Sequence, residues 1–246
     1  MKRLVTFGCS LTQGQDLEEG VEYSRLAWPF LLGQKLNLAV TNCGKNGSSV
    51  KRIWWDIMNF DFHSNDVVVI LWTHINRWCI IKGDDPFDRK GSLPANDWDL
   101  PREGFPSPDF SKVDNINYEY LFDNAESHVT QPHPDQVHIT DVHHSMFNKH
   151  SEMWYKYFHD EYDMLQQTFL HINHADMYLK NKVNNVFHLR ASEPNLTTDF
   201  NQVNFLKTDI DELRQKYPKA TDGWHPGIEF QEEYASRIKK EIEKQL

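Results

Sequence analysis

The chain has only three cysteines, Cys9, Cys43 and Cys79, and no two of them form a CxxC pair. An odd, scattered set excludes a disulfide framework of the small secreted kind and reads as reduced thiols of an intracellular protein. No apolar run approaches the ~18 residues that a membrane-spanning helix needs. Basic residues are also short, 26 Lys+Arg against 36 Asp+Glu, for a formal net charge of -10. No Lys/Arg stripe stands out, so nucleic acid is not an expected partner. Neutral or cationic small molecules and sugars suit that balance better than phosphate backbones, although the charge also simply favours solubility. The sequence contains no internal repeat, no HExxH pair and no Gly-Lys-Ser/Thr after a glycine-rich loop, which excludes a Walker nucleotide site. Apolar residues make up just 39% of the chain.

Aromatic residues offset that shortage. Eight Trp, nine Tyr and fifteen Phe in 246 residues can bury a large area per side chain, enough for one sizeable core in a single domain. The mean hydropathy of -0.68 then points to long polar excursions grafted on that core. The opening MKRLVTFGCS superficially resembles a signal peptide or a lipid-attachment cysteine. Its apolar stretch is shorter than a signal core of ~7–15 residues, so Leu4–Phe7 reads as a strand and a cytoplasmic location is expected.

Periodicity along the chain alternates between strand and helix. Leu4–Phe7, Leu38–Thr41, Asp66–Trp72 and Val183–Leu189 read as strands. Asp66–Trp72 carries five consecutive aliphatics, the signature of a strand buried on both faces of a parallel sheet. Helical spacing appears in Ser24–Asn37, where Pro29 sits early enough to be tolerated in a first turn. It recurs after Ser48 or Ser49 as candidate caps, in Ser151–Lys180, in Phe205–Tyr217 and in Gly227–Leu246. Strand, helix, strand, helix, strand is an α/β pattern with a mostly parallel sheet. From about Trp78 to His150 the periodicity vanishes, and a segment this long reads as an insertion folding over one end of the sheet, a lid.

Two short motifs carry candidate chemistry. Phe7-Gly8-Cys9-Ser10-Leu11-Thr12-Gln13-Gly14 follows the first strand directly. In an open parallel sheet ligands bind beyond the carboxyl ends of strands, so a serine there is placed as a nucleophile would be. A plain Gly/Ser turn or a phosphate-cradling loop would fit the same residues. Asp222-Gly223-Trp224-His225-Pro226 precedes the last helix. Serine hydrolysis needs an imidazole to take the hydroxyl proton and a carboxylate to fix its tautomer, and Asp222 and His225 can converge across a tight turn. An Asx turn with a surface histidine is the plainer reading.

Together the pair resembles the first and last sequence blocks of the SGNH/GDSL hydrolase family, with Cys9 standing where the family has an acid in Gly8-Cys9-Ser10-Leu11. The opening FGCSLTQG and its aromatic-Pro helix are similar to SGNH-like proteins of phage and marine bacterial genomes. The resemblance implies a three-layer α/β/α sandwich with a flavodoxin-like sheet. It further implies Ser10 as nucleophile, His225 as general base and Asp222 as its orienting partner, with no cofactor and no metal. The second block corresponds to Thr41–Ser48, which offers Gly47, read as a helix start, as an oxyanion donor, Gly44 as its alternative, and the Ser10 N–H as a further donor. The third block departs from the family: His74 stands at the position of its asparagine, and Asn76 lies two residues on. Arg77 is a candidate for holding an anionic substrate group, or else a salt-bridged surface residue. The resemblance implies a small ester as substrate, and the aromatic and polar insertion suits an O-acetyl group on a carbohydrate better than a long acyl chain.

Two other readings compete. His128, His133, His138, His143, His144 and His150, with Asp135 and Asp141, crowd the insertion and could hold a transition metal, although their spacing matches no defined ligand motif. The chain could also be a binding or structural module that keeps the fold without turnover, since Cys9 and the third block both depart from the family pattern.

Overall fold

The structure, a computed structural model, describes residues 2–74, 77–81, 136–139, 160–191, 203–208 and 210–245. Four strands, β1 (Arg3–Gly8), β2 (Ala39–Gly44), β3 (Val67–Trp72) and β6 (Asn185–Arg190), form one sheet in the order β2-β1-β3-β6. All three pairings are parallel, with Val5 opposite Thr41 and Val68, and Val69 opposite Phe187. A two-stranded antiparallel ribbon of β4 (Trp78–Ile81) and β5 (Gln136–Ile139) lies outside that sheet in the pairing scheme. The helices are α1 (Ser10–Gln13), α2 (Trp28–Leu36), α3 (Val50–Met58), α4 (Glu161–Lys180), α5 (Ile210–Lys216) and α6 (Ile228–Ile242).

Strand alternation sorts the core into two layers. Leu4, Val67, Val69, Leu71 and Leu189 point to one face, where Trp28 and Leu32 of α2, Leu213 of α5 and Phe230, Tyr234 and Ile238 of α6 cover them. Val5, Phe7, Val68, Ile70 and Val186 point to the other, against Ile53 and Ile57 of α3 and Ile172, Ala175 and Leu179 of α4. Every residue of β3 is buried, as its unbroken aliphatic run requires of a strand covered on both sides. The result is a three-layer α/β/α sandwich. Its strand order is the flavodoxin-like one, and the switch point falls beside β1: the chain passes from β1 to β2 on one side, then back across β1 to β3 on the other.

Local chemistry explains the element boundaries. Ser49 caps α3, its hydroxyl accepting from the Arg52 N–H, so the helix begins at Val50 and Gly47 lies in the turn before it rather than at the helix start. Pro29 sits in the first turn of α2, and Asn37 closes that helix in the left-handed conformation (φ 54°). Asp160 caps α4 through the Asp163 N–H, while the expected start of that helix at Ser151 lies outside the described residues. The helix expected over Phe205–Tyr217 begins only at Ile210. Phe205 instead bridges His188 in parallel, with the Leu206 N–H donating to His188 and the His188 N–H to Asn204, so backbone pairing at the sheet edge displaces the helix. Most of the expected insertion lies outside the described residues, apart from the ribbon at its two sides.

Candidate active site

The carboxyl end of β1 runs straight into α1. Cys9 stays extended at the N-cap, Ser10 opens the helical turn, and Gly14 ends it in the left-handed region (φ 86°). Such a tight strand-to-helix turn fits only where the neighbours are small. A Cβ on Gly8 would lie 2.0 Å from the Thr12 hydroxyl, and one on Gly44 would lie 2.5 Å from the Gln13 nitrogen. Both glycines therefore let α1 seat against the ends of β1 and β2. Asn42 locks that seat. Its Oδ1 accepts from the Thr6 hydroxyl (3.2 Å) and the Gly44 N–H (2.9 Å), and its Nδ2 donates to the Thr12 carbonyl (2.7 Å).

The second half of the site comes from the other end of the chain. Residues 219–226 form a tight turn, with Lys219 and Pro226 bridged antiparallel and the Ala220 N–H donating to the His225 carbonyl at 2.7 Å. Gly223 takes φ 73°, and the Asp222 Oδ1 accepts from the Trp224 N–H (2.9 Å) and the His225 N–H (3.0 Å). The Asx turn and the catalytic reading are thus one arrangement: the same carboxylate that builds the turn also reaches the ring. Asp222 Oδ2 is hydrogen-bonded to His225 Nδ1, and His225 Nε2 lies 2.9 Å from Ser10 Oγ. Ser10 and His225 are 215 residues apart in sequence.

The electrostatics match the geometry. Burial pushes Asp222 up, but hydrogen bonds from the Trp224 N–H, the His225 ring and the His225 N–H outweigh it, and the carboxyl titrates below its usual range. An ionised Asp222 fixes the proton on Nδ1 and leaves Nε2 as the acceptor for the serine hydroxyl. Ser10 is only 7% exposed, so this hydrogen bond is largely shielded from competing water.

A second carboxylate was not legible in the sequence. Asp16 Oδ2 lies 3.8 Å from His225 Nδ1, and the Asp16 carbonyl accepts from the Thr221 hydroxyl at 2.9 Å. Asp16, Asp222 and His225 hold ligand atoms within 4.8 Å of one another, the one such group among the described residues. A cation there would have to displace the Nδ1 proton that now bonds Asp222.

The remaining sequence candidates among the described residues lie at or after the carboxyl ends of β2 and β3 but are not all equivalent. The Gly44 N–H is already given to Asn42, which removes it as an alternative oxyanion donor. Gly47 has φ 66°, and its N–H has no acceptor among the described residues. His74 follows the end of β3; burial first, then the charges of Arg77 and Arg214, push its pKa down to about 3, so its ring is neutral. Arg77 donates to the Thr73 hydroxyl at 3.2 Å and pairs with no carboxylate among the described residues. Asn76 lies outside the described residues, as does the histidine cluster of the insertion, save for the His138 backbone in β5.

No family model matches the chain, and no curated protein matches it. Among solved structures it is similar to a member of the lipolytic G-D-S-L protein family from Veillonella parvula, 10% identical, with 100% of each chain covered and a TM-score of 0.48. It is likewise similar to a catalytic mutant of an acetylxylan esterase from Geobacillus stearothermophilus, 12% identical over 98% of this chain and 93% of that one, TM-score 0.48. A third is an alpha/beta hydrolase enzyme from the metagenome of Lake Arreo, 13% identical over 98% and 94%, TM-score 0.45.

Proposed function

We propose that this chain is an SGNH/GDSL-type serine hydrolase of small esters. The observation that carries the reading is the continuous hydrogen-bonded line from Asp222 through His225 to the Ser10 hydroxyl, assembled at the switch point of a parallel sheet. In this reading Ser10 Oγ attacks the ester carbonyl while His225 Nε2 takes its proton, and the resulting imidazolium is stabilised by Asp222. The tetrahedral oxyanion rests on the N–H groups of Ser10 and Gly47. His74 supplies a third donor from its neutral ring, with Asn76, two residues on in sequence, as the alternative. Collapse expels the alcohol, which takes a proton from His225, and leaves an acyl group on Ser10. Water activated by the same histidine then releases the acid.

The substrate class we favour is an O-acetyl ester on a carbohydrate. A short acyl group suits a nucleophile that is only 7% exposed, and a neutral sugar suits a chain of net charge -10. The guanidinium of Arg77 is the candidate contact for a polar or anionic substituent. Hydrolysis of p-nitrophenyl acetate by wild type and Ser10→Ala, side by side, tests the reading. Turnover that disappears in the variant supports it; turnover indifferent to Ser10 contradicts it.

A further inference from the structure

The catalytic imidazole faces two carboxylates where its chemistry needs one. Asp222 is hydrogen-bonded to Nδ1, and Asp16 Oδ2 stands 3.8 Å from the same nitrogen, too far for a hydrogen bond and within ion-pair distance of a protonated ring. Asp16 is not there by the accident of a floppy surface loop. Its backbone is held at φ 58°, a left-handed conformation that costs a non-glycine residue free energy unless its surroundings impose it. The surroundings are visible. The Asp16 carbonyl accepts from both the hydroxyl (2.9 Å) and the N–H (3.4 Å) of Thr221, the residue next to Asp222. On the other side, the Gln15 N–H returns to the Ser10 carbonyl at 3.1 Å. The segment carrying Asp16 is thus pinned between the serine-bearing turn and the histidine-bearing turn, with Thr221 reaching it from 205 residues away in sequence. Its own carboxylate has no hydrogen-bond donor and no lysine or arginine among the described residues. Among the described residues the one charged partner that faces this acid is His225.

We propose that Asp16 is a positioning residue for the general base, a reserve carboxylate that stabilises the His225 imidazolium alongside Asp222 and takes over Nδ1 when Asp222 is removed. The proposal rests on the hydrolase reading of Ser10, His225 and Asp222. When the Ser10 proton moves to Nε2, the ring gains a full positive charge, and both carboxylates then stabilise it. Asp222 also fixes the tautomer, because it alone is within hydrogen-bond reach. With the Asp222 side chain cut back to a methyl, the space beside Nδ1 opens and a small rotation of Asp16 closes the remaining distance.

The test is a mutant cycle on p-nitrophenyl acetate with wild type, Asp16→Asn, Asp222→Ala and the double variant, reading kcat and KM separately. Asparagine tolerates the left-handed backbone, so Asp16→Asn removes the charge and keeps the loop. Asp16→Gly relieves the backbone altogether and serves as the control for folding. Loss of a triad carboxylate costs on the order of 10⁴ in kcat where nothing replaces it. Against that reference, Asp222→Ala is expected to lose only ~10², and adding Asp16→Asn to lose the remaining ~10², with KM unchanged. Both Asp16 single variants are expected to lose about 3- to 10-fold in kcat, as removal of a flanking charge would. An Asp222→Ala variant already as slow as the double, or Asp16 single variants with the kcat of wild type, would overturn the proposal. If Ser10→Ala turns over as fast as wild type, the hydrolase reading fails and this proposal with it, and that outcome is distinguishable because every variant then shares one rate.

Discussion

Replacing Asp222 by Asn separates the two jobs of that side chain. The Asn Oδ1 can still accept from the Trp224 and His225 N–H groups, which lie 2.9 and 3.0 Å from the present Asp222 Oδ1, so the 219–226 turn is retained. The amide NH₂ then faces His225 Nδ1, where a proton already sits, and two donors cannot share that contact. The ring escapes by moving its proton to Nε2, which turns the acceptor for Ser10 into a donor. Rotating the amide instead would aim its NH₂ at the two backbone N–H groups, so neither arrangement is satisfied without the tautomer change. The base is lost while the fold remains, and the expected fall in kcat is about 10⁴, or ~5 kcal/mol of transition-state stabilisation. Losing one charge-assisted hydrogen bond costs about 1.5–3 kcal/mol, a Tm decrease of some 3–12 °C for a chain of this size. Steady-state hydrolysis of p-nitrophenyl acetate and a thermal melt on the same preparation read both quantities. A folded Asp222→Asn variant with kcat within tenfold of wild type would refute the tautomer argument. So would a variant more active than Asp222→Ala, because only the alanine opens the place for Asp16.

Three further outcomes follow from the same structure. Gly44→Ala drives a methyl into the Thr12–Gln13 backbone; α1 must shift with Ser10 on it, and kcat is expected to fall ~10²-fold in a protein that still melts cooperatively, since a 1 Å misplacement costs about that much. His74→Ala is expected to lower kcat by about 10²–10³ with KM little changed if its ring serves the oxyanion, and His74→Asn to recover part of the loss; equal activity of the two variants and wild type would remove it from the site. Stability is expected to fall as pH drops below about 6.5, because His74 is held neutral down to about 3 in the fold and takes a proton near the ordinary value when unfolded. The unfolded state then binds more protons, which costs about 2 kcal/mol at pH 5 for His74 alone. Denaturant titrations at pH 7 and pH 5 should show a smaller drop for His74→Asn than for wild type, and equal drops would contradict the assignment.

Buried His188 adds to that acid sensitivity for a structural reason. It is fully enclosed in β6, accepts from the Trp72 indole at 2.9 Å through Nδ1, and has its Nε2 3.2 Å from Asp176. Burial lowers its pKa more than Asp176 restores it, so protonation opposes folding here as well. The arrangement orders its side chains like the Asp222–His225–Ser10 line, but it ends on an indole and serves the core.

The fold was largely legible because burial on two faces writes itself into a strand: Val67–Trp72 could be placed from its unbroken aliphatics alone. Ser10, Asp222 and His225 were legible as motifs because each is locally constrained, Ser10 by flanking Gly8 and Gly14 and the pair by a turn of fixed spacing. Asp16 was not, since its meaning comes from Thr221 and His225 at the far end of the chain, and one acid among 36 acidic residues carries no local mark. Asn42 carries no local mark for the same reason: it sits inside a glycine-rich block whose backbone gives the stronger signal, while its side chain ties β1, β2 and α1 together. At Phe205 and Leu206 an adjacent apolar pair fits a helix start and a sheet-edge bridge equally well, and only the partner strand decides.

The most direct test of the central claim is covalent labelling with a serine-reactive organophosphorus ester, located by mass spectrometry of the peptide spanning Leu4–Arg25. One adduct is expected, on Ser10, absent in Ser10→Ala and slowed at least ~10²-fold in His225→Ala, where the general base is gone. An unlabelled Ser10 in folded protein, or labelling that does not depend on His225, would contradict it.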